Sequence, residues 1–121
     1  MSANIRLCLL AALPFLVGCA SMESPDVILP PAQYDHPFAG RLVVEQIPLR
    51  DVQAACRLHP ASGYTEACAW TFADPMQPGK LACRIIYPRL SDVGADMMVA
   101  LNRHETGHCD GWPANHPGGH F

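Results

Sequence analysis

Apolar positions along the chain fall into short runs separated by turn-forming residues, and their spacing changes from run to run. Leu42, Val43, Val44 and Ile47 lie between Gly40 and Pro48 and predict a strand over 41–47. Leu49, Val52, Ala55 and Cys56 then recur at helical spacing, with Pro48 near the start, and predict a short helix over 49–58. Pro60, Ser62 and Gly63 mark a loop over 59–64. Residues 67–72, with Trp70 and Phe72, predict a second strand; residues 81–87, with Cys83, Ile85, Ile86 and Tyr87, predict a third. The turn residues Asp74-Pro75 and Gln77-Pro78-Gly79-Lys80 between them make these two an antiparallel hairpin.

A longer helix follows, with Ser91 or Asp92 placed to cap it. Val93, Met97, Leu101, His104 and His108 form one stripe at spacings of four, four, three and four. The stripe starts as core packing and ends in two histidines. Gly94 costs a helix about 1 kcal/mol, so the start is less firmly written than the end. Together the elements predict an α+β fold: a small antiparallel sheet packed on a C-terminal helix.

That helix carries the candidate chemistry, His104-Glu105-Thr106-Gly107-His108. Residues four apart share a helix face, so His104 and His108 can present two imidazoles to one metal ion. Glu105, beside the first, can reach a water at an open coordination position. Gly111 lets the backbone turn after the helix, and His116 can return as a third ligand. Asp110 is a second candidate for that place, or a partner that orients a histidine N–H. Cys109 directly follows His108, but neighbouring helix positions point about 100° apart and do not easily share an ion. The bland alternative is a solvated helix end with two unremarkable histidines. His36 and His120 are spare candidates.

The H-E-x-x-H pattern resembles the active-site helix of the zincin metallopeptidases. Cys109-Asp110-Gly111 is similar to the metzincin extension, whose third histidine would fall at Ala114; here the nearest is His116, and no Met-turn follows before Phe121. The resemblance is therefore to zincins broadly, and it covers the last quarter of the chain. It implies a minimal zincin-like architecture, Zn2+ as cofactor, Glu105 as the catalytic base, and an edge strand running along a substrate cleft. The sequence does not say which strand that is.

The N-terminus changes the setting. Arg6, the apolar run Leu7 to Val17 and the small residue Gly18 have the layout of a secretory signal. Leu16-Val17-Gly18-Cys19 resembles the lipobox of bacterial lipoproteins, which implies cleavage after residue 18 and acylation, palmitate included, of Cys19. Ala20-Ser21 carry no Asp next to that cysteine, which by the same resemblance favours the outer membrane, facing the periplasm. Residues 19–40 hold Pro25, Pro30, Pro31 and Pro37 and predict an extended tether, or an extended segment lying on the domain surface. Residues 41–121 form the domain. Four cysteines remain in it, Cys56, Cys68, Cys83 and Cys109, an even number suited to an exported chain. Of the three connectivities, Cys56–Cys68 with Cys83–Cys109 is favoured, because the second pair would tie the metal-site helix to a core strand.

A formal net charge of −3 and the lack of any Lys/Arg cluster exclude a nucleic-acid footprint. The expected function is a zinc metallohydrolase, a peptidase or amidase of the cell envelope, anchored to the membrane at Cys19 and acting on a protein or a peptidoglycan peptide. Tyr64 and Tyr87 are candidate oxyanion donors, and Trp112 a lid over the core. The competing expectation is a non-catalytic envelope lipoprotein whose metal is structural or recruits a partner. Few residues are present to build both walls of a groove, which favours the second; Glu105 favours the first.

Overall fold

The computed structural model describes residues 26–57 and 66–121. Residues 1–18, Cys19 and Tyr64, to which the sequence assigned a signal, an anchor and an oxyanion donor, lie outside the described residues.

The elements follow in the order β1 (Arg41–Ile47), α1 (Leu49–Cys56), β2 (Cys68–Ala73), β3 (Leu81–Pro88), α2 (Leu90–Val93) and α3 (Ala95–Cys109). The fold is α+β, but the sheet is mixed where an antiparallel one was expected. Its strand order is β1-β3-β2. β2 and β3 form the predicted hairpin, in register from Cys68↔Ile86 to Ala73↔Leu81. β1 lies parallel to β3, from Arg41↔Ala82 to Ile47↔Pro88. The reason lies in β3 itself. Ala82, Cys83, Ile85, Ile86 and Tyr87 are all buried, and a strand apolar on both faces belongs in the middle of a sheet. The long connection through α1 carries the chain to the far edge, and the hairpin then folds β3 into the gap.

Each face of the sheet has its own core. On one side α3 brings Leu101, Ala100 and Cys109 against Cys83, Ile85 and Tyr87. On the other, α1 brings Val52 and Cys56 against Cys68 and Ile86. A disulfide staples each side: Cys56–Cys68 joins α1 to β2, and Cys83–Cys109 joins β3 to the end of α3. These are the pairings favoured from the sequence. They matter for a domain whose core is this thin.

The predicted long helix is broken. Gly94 has φ 83°, a left-handed conformation open to glycine, and it separates α2 from α3. Val93 therefore drops out of the stripe, which runs from Met97. Asp92 does not cap α3; its Oδ2 accepts the backbone N–H of Leu49 at 3.0 Å. Among the described residues no helix is long and apolar enough to cross a membrane.

The Pro-rich segment is, from Asp26 onward, an extended strap against the domain. Val27 is buried with the α3-side core. Leu29 exchanges two backbone hydrogen bonds with His120, of 2.6 and 3.0 Å, so the strap and the C-terminal tail hold each other. Asp35 receives a bidentate contact from the Arg103 guanidinium, which fixes the strap to α3.

Candidate metal centre

The last two turns of α3 place His104 and His108 on the face that looks toward β2. The helix stops where Gly111, at φ 98°, takes the left-handed conformation. Gly111 N–H donates to His108 O at 3.1 Å and Trp112 N–H to Gly107 O at 2.9 Å. This is a Schellman ending. It turns the chain back under the histidines and buries Trp112 to 2% exposure. The Trp112 indole lies 4.8–5.3 Å, centroid to centroid, from the rings of His104, His108 and His116. Its Nε1–H donates to Pro117 O at 2.9 Å, which pins the tail. His116 itself has φ 55°, an uncommon state for a side-chain-bearing residue, and it aims its ring back at α3.

The three imidazoles converge. His108 Nε2 is 3.1 Å from His104 Nε2 and 3.2 Å from His116 Nε2. Tetrahedral bonds of 2.0–2.1 Å to one ion would set ligand nitrogens about 3.3 Å apart. His104 Nδ1 donates to the carbonyl of Ile28 at 2.6 Å, and His108 Nδ1 donates to that of Trp112 at 2.7 Å. A carbonyl can only accept, so each Nδ1 carries the hydrogen and each Nε2 presents a lone pair. Two lone pairs facing each other at 3.1 Å repel until a cation lies between them. Burial lowers the pKa of all three rings, that of His104 to about 4, with His116 adding to the effect on the other two. They are neutral at neutral pH, the state a metal requires. His104, His108 and His116 thus form a group that can hold a metal ion.

Glu105 lines the same cleft at 2% exposure, and burial pushes its carboxyl up to about 8. A divalent cation nearby would oppose that shift. The cleft, about 850 Å³, runs between α3 and β2, with the strap residues Asp26–Ile28 on its rim. β2 is an outer strand of the sheet, so the edge strand along the cleft is β2.

Other candidates fall elsewhere. Cys109 is in a disulfide and has no thiolate to offer. Asp110 faces His36, at 3.3 Å from its Nδ1, and stands outside the histidine group. Burial raises the Asp110 pKa against the pull of that imidazole. The His36 nitrogens face the carbonyls of Pro37 and Gln33, and the Pro37 contact leads in raising its pKa. The Tyr87 hydroxyl is not an oxyanion donor: it is buried beneath α3 and donates to Asn102 Oδ1 at 2.9 Å. His120 contributes its backbone to the strap and stands outside the histidine group. Two functional groups escaped the sequence, the carbonyls of Ile28 and Trp112. Every residue carries a carbonyl, so no residue type could have marked them.

No family model, curated protein or solved structure matches this chain.

Proposed function

We propose that the protein is a zinc-dependent hydrolase of peptide or amide bonds, related in its chemistry to the zincin peptidases. The observation that supports it best is the pairing of two things in one cleft: a set of imidazole lone pairs with fixed tautomers, and a buried carboxylate one residue from the first ligand. Three neutral imidazoles suit zinc, and with three protein ligands a fourth position stays open for chemistry. Zinc held by His104, His108 and His116 would supply a Lewis acid that polarises the scissile carbonyl and acidifies water.

The chain's own groups do the rest. Glu105 takes a proton from the attacking water as its oxygen bonds to the carbonyl carbon. It delivers that proton to the leaving nitrogen as the C–N bond breaks. The Ile28 and Trp112 carbonyls hold His104 and His108 in the ligating tautomer and raise their basicity. Among the described residues β2 is an outer strand, and with Trp70 and Met97 it lines the cleft in which an extended peptide would lie. The lipobox-like Leu16-Val17-Gly18-Cys19 supports an envelope setting on an acylated Cys19, with exported proteins and peptidoglycan peptides as the substrates this reading proposes.

One observation favours a non-catalytic role. Glu105 is nearly sealed, and the metal would clamp α3 to the tail whether or not turnover occurs. Glu105→Gln separates the two readings. It is expected to retain about one zinc per chain and to lose hydrolysis of unfolded protein and of cross-linked peptidoglycan peptides. Wild-type hydrolysis in that variant, or none in the wild type with zinc bound, overturns the enzymatic reading.

A further inference from the structure

At the edge of the sheet away from the cleft, we propose that β1 pairs with β1 of a second copy of this chain, antiparallel about a twofold axis at Val43. Among the described residues β1 is hydrogen-bonded on one side only, to β3. Its register with β3 is unbroken over seven residues, so no bulge twists the free edge away, and no proline interrupts it. Leu42 and Val44, 41% and 52% exposed, share a face with their register partners Cys83 and Ile85. That face is covered by α3 over β2 and β3 and left open over β1.

The strand sequence Arg41-Leu42-Val43-Val44-Glu45 is complementary to itself in one register. With Val43 opposite its own copy, Leu42 stands opposite the second copy's Val44, and Arg41 opposite its Glu45. Both faces then match. Moving the axis one residue to Val44 sets Val43 against Glu45 and Leu42 against Gln46, and moving it to Leu42 sets Arg41 against Val43. A register shift of this kind is costly wherever side chains meet in pairs. The charges extend the match. Arg41 is held by Asp74, with contacts of 2.7 and 3.1 Å, and Glu45 lies 3.7 Å from Arg84. In the dimer these become an alternating row, Asp74, Arg41, then Glu45 and Arg84 of the second copy, repeated across the twofold axis.

The result is a six-stranded sheet with β2 at each outer edge, so both metal clefts remain open. This is an isologous contact, the usual form of a homodimer. A strand pair buries less than the roughly 1,200 Å² typical of stable complexes, so the dimer is expected to be reversible, in the micromolar range.

Cysteine cross-linking of the full chain tests this. Directly opposed residues in antiparallel strands have Cα atoms about 4.5–5.5 Å apart, within reach of a disulfide. Under mild oxidant, Val43→Cys is expected to give a dimer joined 43 to 43, identified by mass spectrometry. Met76→Cys, on the exposed hairpin turn, is expected to give no cross-linked dimer. Adding Glu45→Arg to Val43→Cys reverses both charge pairs and is expected to cut the cross-linked fraction about tenfold. Equal cross-linking at 43 and 76, or no effect of Glu45→Arg, overturns the proposal. Sedimentation equilibrium of the wild type provides a check free of substitution: a reversible monomer–dimer equilibrium is expected, and a monomer at every concentration overturns it.

Discussion

Gly107, between Glu105 and the second histidine, is the position where a single added carbon should reach the metal. It is buried on α3 against the strap and the tail. A Cβ there would lie 2.9 Å from Pro30 Cβ, 3.0 Å from Pro30 Cγ and 3.3 Å from Trp112 Cε3. Carbon atoms in good contact sit at about 3.5–4.0 Å, so Gly107→Ala must move Pro30 outward by roughly 0.6–1 Å. Neither neighbour is the free end of a flexible chain; one is a proline ring and the other a packed indole. Pro30 is two residues from Ile28, whose carbonyl is 2.6 Å from His104 Nδ1. A shift of that size breaks or badly weakens that hydrogen bond. Two energies compete in the metal-free protein. Alanine improves helix propensity by about 1 kcal/mol, while overpacking costs about 1–3 kcal/mol, so stability should change little or fall by up to about 2 kcal/mol. Metal affinity should fall much more clearly, by about 10- to 100-fold, because groups that orient metal ligands carry that much. Chelator competition gives the zinc affinity, and denaturant unfolding of the metal-free protein gives the stability. Gly79→Ala is the control: it strains a left-handed glycine, at φ 77°, but meets nothing within 4 Å, and should leave zinc affinity unchanged. Wild-type affinity in Gly107→Ala would refute the idea that the strap orients His104.

Two further perturbations follow from the same contacts. In chelated protein, His104, His108 and His116 have folded pKa values below the ordinary 6.5, so the unfolded chain binds more protons below pH 6.5 and stability falls as pH drops from there toward 4. Glu105 has the opposite sign: its folded pKa, raised to about 8, lets the native state hold an extra proton between 4.5 and 8, so its contribution is lost as pH rises through that window. Unfolding midpoints of the metal-free protein should therefore peak near pH 6–7, and a midpoint rising steadily from pH 7 to 9 would contradict the burial of Glu105. Replacing Cys83 and Cys109 together by alanine reopens a loop of sequence separation 26 and should cost about 3.5 kcal/mol, against about 3 kcal/mol for Cys56 and Cys68 at separation 12, by denaturant unfolding. The first pair also frees the end of α3, so zinc affinity should fall with it and not with the second.

Periodicity carried most of the secondary structure. Strands 41–47 and 81–87 and the helical run after Leu49 emerged from it within a residue or two. Pairing did not, although the information was present: Leu81 to Tyr87 is apolar on both faces, and that alone marks a central strand. The expectation of an antiparallel sheet took no account of that pattern. Gly94 was legible as a cost to the helix but not as a break, because propensity is a sum and a left-handed φ is a local choice made by tertiary packing. The histidines were legible because helical spacing fixes His104 and His108 on one face. The return of His116 depended on Gly111, which the sequence did show. The Pro-rich stretch left two readings open, a tether and an extended segment lying on the domain. Val27 and Pro30 lie in a Pro-rich stretch whose composition is that of a linker, and only their contacts with α3 and the tail make them part of the domain.

Those contacts would give a bound metal a structural consequence separate from any catalysis. The three imidazoles come from α3 and from the tail, and the tail is held to the strap by the Leu29–His120 pairing. Holding His116 against His104 and His108 therefore orders the tail, and the ordered tail keeps the strap beside Ile28, whose carbonyl orients His104. Each contact favours the others, so a metal, the strap and the tail would bind and order as one linked equilibrium. A ligand that binds only the native form stabilises it by RT ln(1 + [L]/Kd). In this chain that free energy would enter at the junction of strap, tail and helix end, where Val27, Pro30 and Trp112 are buried, while the two disulfides brace the sheet core independently of a metal.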